Sequence, residues 1–203
     1  MYIQVIAGRA TDAEALTAQF ENWVSDVRPG AIGLLGGTAG LTDDGRFVIL
    51  ARFEDADAAQ RNSERSEQTE WFSQTEPYMA DVTFDGCSRV ETLFGGGDDA
   101  ATFVQVMRGT VKDAATADAL FAQRDAAEAA LRQARPDLLG QVVALHDEGG
   151  GVTSAVYFVS ESEARANEAK MSDMPPGGAE LLAQFDAAFD VQEYFDLQHP
   201  MMH

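Results

Sequence analysis

Lysine, cysteine and uninterrupted apolar sequence are what this chain has least of. Lys112 and Lys170 are its only lysines, and 14 Lys+Arg stand against 34 Asp+Glu over 203 residues, a formal net charge of −20. An average surface of that sign repels nucleic acid and anionic lipid headgroups, so neither is expected as a partner. The surplus acid is spread along the chain, as on a solvated surface that maintains solubility. Cys87 is the single cysteine, which rules out an intramolecular disulfide and removes any mark of an oxidising compartment. A cytoplasmic location is the expectation. No run of about 18 apolar residues occurs, and the first residues alternate and then meet Arg9 rather than forming the apolar core of a secretory signal.

What is present is a repetition. Tyr2-Ile3-Gln4-Val5-Ile6-Ala7-Gly8 with Asp12 returns as Phe103-Val104-Gln105-Val106-Met107-Arg108-Gly109 with Asp113. Arg28-Pro29 with Gly33 returns as Arg135-Pro136 with Gly140, and Phe53 and Asn62 return in the same order as Phe158 and Asn167. A period of about 100 residues implies one fold unit per half and a pseudo-dimer built into one chain.

Residues 2–9 alternate as a strand with two faces, Ile3, Val5 and Ala7 on one and Tyr2, Gln4 and Ile6 on the other. Thr11-Asp12-Ala13-Glu14 opens a helix whose Leu16, Phe20, Trp23, Val24 and Val27 form one stripe, and Pro29-Gly30 stops it. Strands over 32–42 and 47–53 flank the hairpin turn Asp43-Asp44-Gly45-Arg46. An alanine-rich acidic helix over 54–70 runs up to Trp71-Phe72 and closes at Pro77, and a strand over 82–93 follows. The order is β-α-β-β-α-β. Gly95-Gly96-Gly97-Asp98-Asp99 reads as a linker, which gives a first half over 1–94, a connection over 95–101 and a second half over 102–203. In the second half a strand over 102–110, a helix with the stripe Leu120, Ala127, Leu131 and Ala134, and a hairpin around His146-Asp147-Glu148-Gly149-Gly150-Gly151 repeat the plan. Met174-Pro175-Pro176-Gly177-Gly178 breaks the next helix. A last strand runs over 191–197, and His199 to His203 form a tail expected to be disordered.

On Pro29, Gly30 and Gly33, Asp43-Asp44-Gly45, Phe53-Glu54-Asp55 and Trp71-Phe72, each half resembles the dimeric α/β-barrel superfamily, most nearly its antibiotic-biosynthesis-monooxygenase type. The resemblance implies an α+β fold of two ferredoxin-like repeats whose antiparallel sheets join as one barrel. Members of the superfamily usually reach that barrel by homodimerisation. Here one chain could supply both units and be a monomer, or pair again as a homodimer of the pseudo-dimer. A sheet with helices on one side has a second face to cover. That face is expected to carry Tyr2, Gln4 and Ile6 against Phe103, Gln105 and Met107, enclosing either packed side chains or a small, mostly apolar ligand.

Haem-degrading members of the superfamily carry a tryptophan and, ten residues on, a histidine on the helix after the second hairpin strand. Alignment from Phe53 puts Asn62 and Phe72 at those places, and the second half has Asn167 and no histidine, so no haem is expected. The monooxygenase-like members imply chemistry without any cofactor, in which a phenol or quinol held in a dry pocket reacts with oxygen. Gln4, Gln105, Asn62, Asn167, Arg52 and Tyr157 are the polar candidates for such a site, and Trp71 is a candidate wall, packing anchor or contact between halves. The two asparagines could equally tie nearby backbone, and the two glutamines could be satisfied inside a packed barrel. His146, Asp147 and Glu148 are adjacent in a hairpin and cannot all turn to one ion, so no metal is expected. Cys87 lacks a partner for nucleophilic work, Trp23 lies on a core stripe, and the glycine runs lack the spacing and lysine of a phosphate loop. The alternative to a ligand pocket is a non-catalytic stress-type or scaffold protein whose barrel is filled by its own side chains.

Overall fold

The computed structural model describes residues 1–170 and 176–202. The first half runs β1 (Tyr2–Ala10), α1 (Ala13–Asn22), β2 (Leu34–Leu41), β3 (Arg46–Phe53), α2 (Ala56–Ser63), α3 (Ser66–Thr75) and β4 (Met79–Cys87), followed by β5 (Arg89–Leu93). The second runs β6 (Phe103–Val111), α4 (Ala114–Ala122), α5 (Arg124–Ala134), β7 (Leu138–Leu145), β8 (Gly151–Phe158), α6 (Glu161–Glu168), α7 (Pro176–Ala188), β9 (Phe189–Gln198) and β10 (Met201–Met202). Side-chain acceptors open the corresponding helices of both halves: Asp12 and Asp113 cap α1 and α4, and Asp55 and Ser160 cap α2 and α6. Helix α1 ends in a π turn over Trp23–Val27 before the Arg28–Gly30 turn. The continuous helices expected over 54–70 and after Asp113 are each broken in two, at Glu64-Arg65 and at Gln123. Of the expected helix break, Met174 and Pro175 lie outside the described residues, as does His203, while Pro176 opens α7 where a missing N–H costs nothing. The side chain of Ala127, expected on a buried stripe, also lies outside them.

Two five-stranded antiparallel sheets result, in the orders β10-β2-β3-β1-β4 and β5-β7-β8-β6-β9. These are two ferredoxin-like repeats whose sheets form the barrel-like pseudo-dimer. The single strand expected over 82–93 is two strands, because the chain turns at Ser88 and β5 joins the other sheet, Arg89 opposite Leu145 through Leu93 opposite Gln141. The expected tail does likewise: Met201 and Met202 pair with Ala39 and Thr38 of β2. One end strand of each sheet thus continues an end strand of the other, β5 following β4 and β10 following β9, so the two sheets are joined at two corners.

The space between the sheets is full. Ile3, Val5, Val48 and Leu50 from one sheet and Val104, Val106, Ala155, Phe195 and Leu197 from the other form one buried cluster, each at most 2% exposed. The expected orientation of β1 is therefore inverted: Ile3, Val5 and Ala7 face the opposing sheet, whereas Gln4 and Ile6, with Gln105 and Met107, lie under the helices. The wholly aliphatic face takes the space sealed on both sides, and the face bearing an amide takes the side where space remains. Side chains thus take the centre of the space between the sheets, and the two cavities lie on the helix-covered face of each sheet.

Gly8 and Gly109, the repeated glycines, both sit where the first strand of a half slips register against the last. A Cβ on Gly109 would lie 1.9 Å from the Asp190 carbonyl oxygen, and one on Gly8 would lie 2.8 Å from that of Ala80. By register, Gly140 opposite Tyr157 corresponds to Gly36 opposite Arg52, so Gly36 rather than Gly33 is its counterpart.

Candidate functional site

Each half leaves a cavity between its sheet and its own helices, at corresponding places. The first is floored by Gln4, Ile6, Ala39, Ala51 and Phe53 and measures about 80 Å³. The second is floored by Gln105, Met107, Val143, Val156 and Phe158 and measures about 260 Å³. Strand register makes these floors equivalent, Gln4 opposite Ala51 and Gln105 opposite Val156. The roofs differ. Over the first, Trp23 and Trp71 meet edge to face at 6.4 Å, with Trp23 Nε1 donating to Gln68 Oε1 at 2.8 Å and Trp71 Nε1 to the Gln19 carbonyl at 2.8 Å. Two indoles with their N–H groups satisfied occupy most of that space. Over the second, Leu120, Phe121, Leu131, Leu181, Leu182 and Phe185 supply smaller or more peripheral groups, and α5 carries no aromatic residue.

The larger cavity has an apolar wall with a few polar groups set in it. Gln105 Nε2 donates to Asp196 Oδ1 at 2.9 Å, and Gln141 Nε2 lies 2.9 Å from Ser154 Oγ. Arg135, 9% exposed, holds the buried Asp137 through Nη2 at 2.7 Å and Nε at 3.1 Å, and its guanidinium lies 5.3 Å from the Phe158 ring centroid. Arg124, about half exposed, with Glu91 and Glu168, both partly exposed, completes the polar lining. Glu91 and Leu93 come from β5, so the second cavity includes a strand that follows the first half in sequence. That strand also grips the roof: Arg89 pairs with Asp118 of α4 at 2.7 Å and covers Phe121, and Glu128 of α5 accepts from the Phe94 N–H at 2.8 Å.

The expected site residues do not form one site. Gln4, Asn62 and Trp71 line the small cavity, and Gln105 lines the large one. Asn62 Oδ1 accepts from the Ile32 N–H at 3.2 Å and Asn167 Nδ2 donates to Asp137 Oδ1 at 2.9 Å, so both asparagines tether the loop that follows the first helix of their half. Asn167 is spent on that tether and does not line the cavity. Arg52 and Tyr157, equivalent by register, lie on the opposite, inter-sheet face. There the Tyr157 hydroxyl pairs with Thr38 Oγ1 at 2.8 Å across the halves, and burial pushes its pKa up. Arg52 Nε is buried without a hydrogen-bond partner among the described residues. Reasoning on the sequence missed Arg135, Gln141, Glu91, Glu168 and Arg124. The repeated Arg-Pro dipeptide was the available pointer to Arg135, and the rest are ordinary polar residues on strands and helices.

His146 lines neither cavity and lies between Asp85 of β4 and Thr153 of β8. Its Nδ1 lies 3.3 Å from Asp85 Oδ1, its Nε2 2.9 Å from Thr153 Oγ1, and Arg108 Nη2 donates to the other oxygen of Asp85 at 2.8 Å. Burial, the largest influence, lowers its pKa. Cys87 is fully buried beside this cluster, and burial pushes its thiol up to about 12. Among the described residues no group of three or more His, Cys, Asp or Glu is placed to hold a metal ion, and no helix is long and apolar enough to cross a membrane.

No family model and no curated protein matches the chain by sequence. Solved structures do match by fold. A protein of Lactobacillus acidophilus NCFM, provisionally described as a monooxygenase, superposes over 100% of this chain and 98% of its own at TM-score 0.72 and 12% identity. An anthrone oxidase-like protein does so over 100% and 91% at 0.72 and 14%. A Listeria monocytogenes ferredoxin-fold protein, described as related to antibiotic biosynthesis monooxygenases, does so over 98% and 95% at 0.50 and 7%. The fold shared with these proteins is the tandem of two ferredoxin-like repeats, a pseudo-dimer within one chain. Identities this low establish the fold alone, so in this pseudo-dimer the chemistry has to be argued from the cavities.

Proposed function

We propose that the second half binds a small, mostly aromatic molecule under its helices, as a cofactor-independent monooxygenase acting on a hydroxyarene. One observation carries the reading. The two halves build the same cavity, and only the second keeps it open, at about 260 Å³ against about 80 Å³. A partly open, mostly apolar space with a few convergent polar groups is the usual form of a small-molecule site, and this one lies just under the common size range of about 300–1,000 Å³. Phe158, Phe121 and Phe185 offer aromatic surface, Gln105 and Gln141 offer hydrogen bonds to a hydroxyl, and Arg135 offers positive charge toward the negative charge that hydroxyl develops on losing its proton.

The reaction that suits such a pocket takes molecular oxygen as oxidant. The ring carbon of the phenolate attacks oxygen, one oxygen atom stays on that carbon as a carbonyl, and the other leaves as water, giving a quinone. The provisional description of one fold neighbour as a monooxygenase and the anthrone oxidase likeness of another support this choice of chemistry. The packed barrel interior fits the alternative of a non-catalytic scaffold, but that alternative gives no account of the open cavity.

The test is a thermal-shift panel of naphthols, anthrones and hydroquinones, with oxygen uptake measured on each. A ligand at 100 times its Kd stabilises the native state by about 2.7 kcal/mol. At least one member is expected to raise the midpoint, and Val156→Phe, which puts a ring into the cavity, is expected to remove that shift. If no member shifts the midpoint, the binding reading fails. Binding without oxygen uptake overturns the catalytic part.

A further inference from the structure

We infer that Gln105 is the residue that selects the ligand's hydroxyl, and that Asp196 and Arg165 are its positioning residues; this rests on the cavity reading above. An amide side chain can usually be turned either way, but a carboxylate only accepts hydrogen bonds, so the Gln105 Nε2 bonded to Asp196 Oδ1 at 2.9 Å fixes which end of the amide faces Asp196. The carbonyl end takes no part in that bond, and it belongs to a side chain that lines the cavity. Asp196 is itself held by Arg165, whose guanidinium also pairs with Glu168 at 3.1 Å and covers the Phe103 ring at 5.3 Å. The cavity is thereby given an acceptor whose orientation is settled before any ligand arrives.

The first half shows what happens without this chain. Gly86 stands opposite Gln4, where Asp196 stands opposite Gln105, and Gln4 makes no side-chain hydrogen bond among the described residues. The open cavity is the one whose glutamine is anchored. Its preferred occupant is an arene carrying a hydroxyl that donates to Gln105 Oε1, and an arene whose oxygen is capped by a methyl group meets an acceptor it cannot satisfy.

The experiment uses the full chain and three probes: 2-naphthol, 2-methoxynaphthalene and naphthalene, with binding read by calorimetric titration. The wild-type chain is expected to prefer 2-naphthol over its methyl ether by about tenfold. In Asp196→Asn, whose amide can bond either end of Gln105, the preference is expected to collapse to within about twofold while naphthalene binds as before. Asp196→Glu is expected to restore it. Naphthalene affinity and the unfolding midpoint report any general damage, and Gln105→Leu gives the same collapse by a separate route. Equal binding of naphthol and ether by the wild-type chain, or a preference unchanged in both Asp196→Asn and Gln105→Leu, overturns the inference and leaves the cavity reading standing. Failure of all three probes to bind overturns the cavity reading, and the inference with it.

Discussion

At the scale of single residues, most buried polar groups pair within their own half, as Asn62 with the Ile32 N–H and Arg135 with Asp137 do, while His146 meets Asp85 of the other half and makes the pH dependence legible. Its neighbours are Asp85, Arg108, Asp147 and Thr153, and burial lowers its pKa below the ordinary value of about 6.5 despite the two carboxylates. The neutral ring is the form the folded state prefers. Above pH 6.5 both folded and unfolded chains carry it uncharged, and its contribution does not change with pH. As pH falls below 6.5 the unfolded chain takes up the proton first, so stability contributed by this site is lost from there toward the lower folded pKa. Urea midpoints are expected to decline between pH 6.5 and 5, and His146→Gln is expected to flatten that part of the profile. An unchanged slope in the variant would place the pH dependence elsewhere. The sequence placed His146 in a hairpin beside two acids, and it could not show Asp85 or Arg108, which arrive from strands in both halves.

At the scale of elements, the strands and capped helices were readable because alternation, N-cap residues and turn glycines act locally. The orientation of β1 was not, since both of its faces are mainly apolar and alternation alone does not say which face receives the helices. The strand exchanges at Ser88 and Pro200 were hidden for a similar reason: a corner between two sheets needs no special residue, and β4 and β5 read as one strand. Of the site, the repeated Gln4 and Gln105 were visible because duplication marks them, whereas Asp196, Gln141 and Arg135 acquire meaning only through register. The repeated glycines allow a sharp test of that register. Gly109→Ala would push a Cβ to 1.9 Å from the Asp190 carbonyl oxygen, a backbone atom that moves only with β9. A loss of about 3 kcal/mol is expected in chemical denaturation. Gly149→Ala, in open space at φ +72°, is expected to lose about 1 kcal/mol through backbone strain alone. Equal losses would mean that the β6–β9 slip is not as described.

At the scale of the whole molecule, the question is whether two repeats make two folding units. Their contacts argue for one. β5 adds a five-residue strand to the second sheet, β10 returns to the first, and the aliphatic cluster between the sheets draws on both halves. Thr38 with Tyr157, Asp85 with Arg108, and the Ser88 N–H with Asp147 at 2.8 Å add polar links across the same boundary. Unfolding either half alone would expose the aliphatic face of the other and strip a strand from its sheet, so a half-folded state retains little of the burial that stabilises it. A single calorimetric transition is expected, with calorimetric and van't Hoff enthalpies in a ratio near one. Leu50→Ala, a cavity placed on the first-half side of the shared core, should then lower that one transition by about 2–5 kcal/mol of stability without splitting it. Two transitions, or a variant that shifts only part of the heat absorption, would show that the halves melt independently, and that the shared core between the sheets contributes less to stability than each helix-covered sheet does by itself.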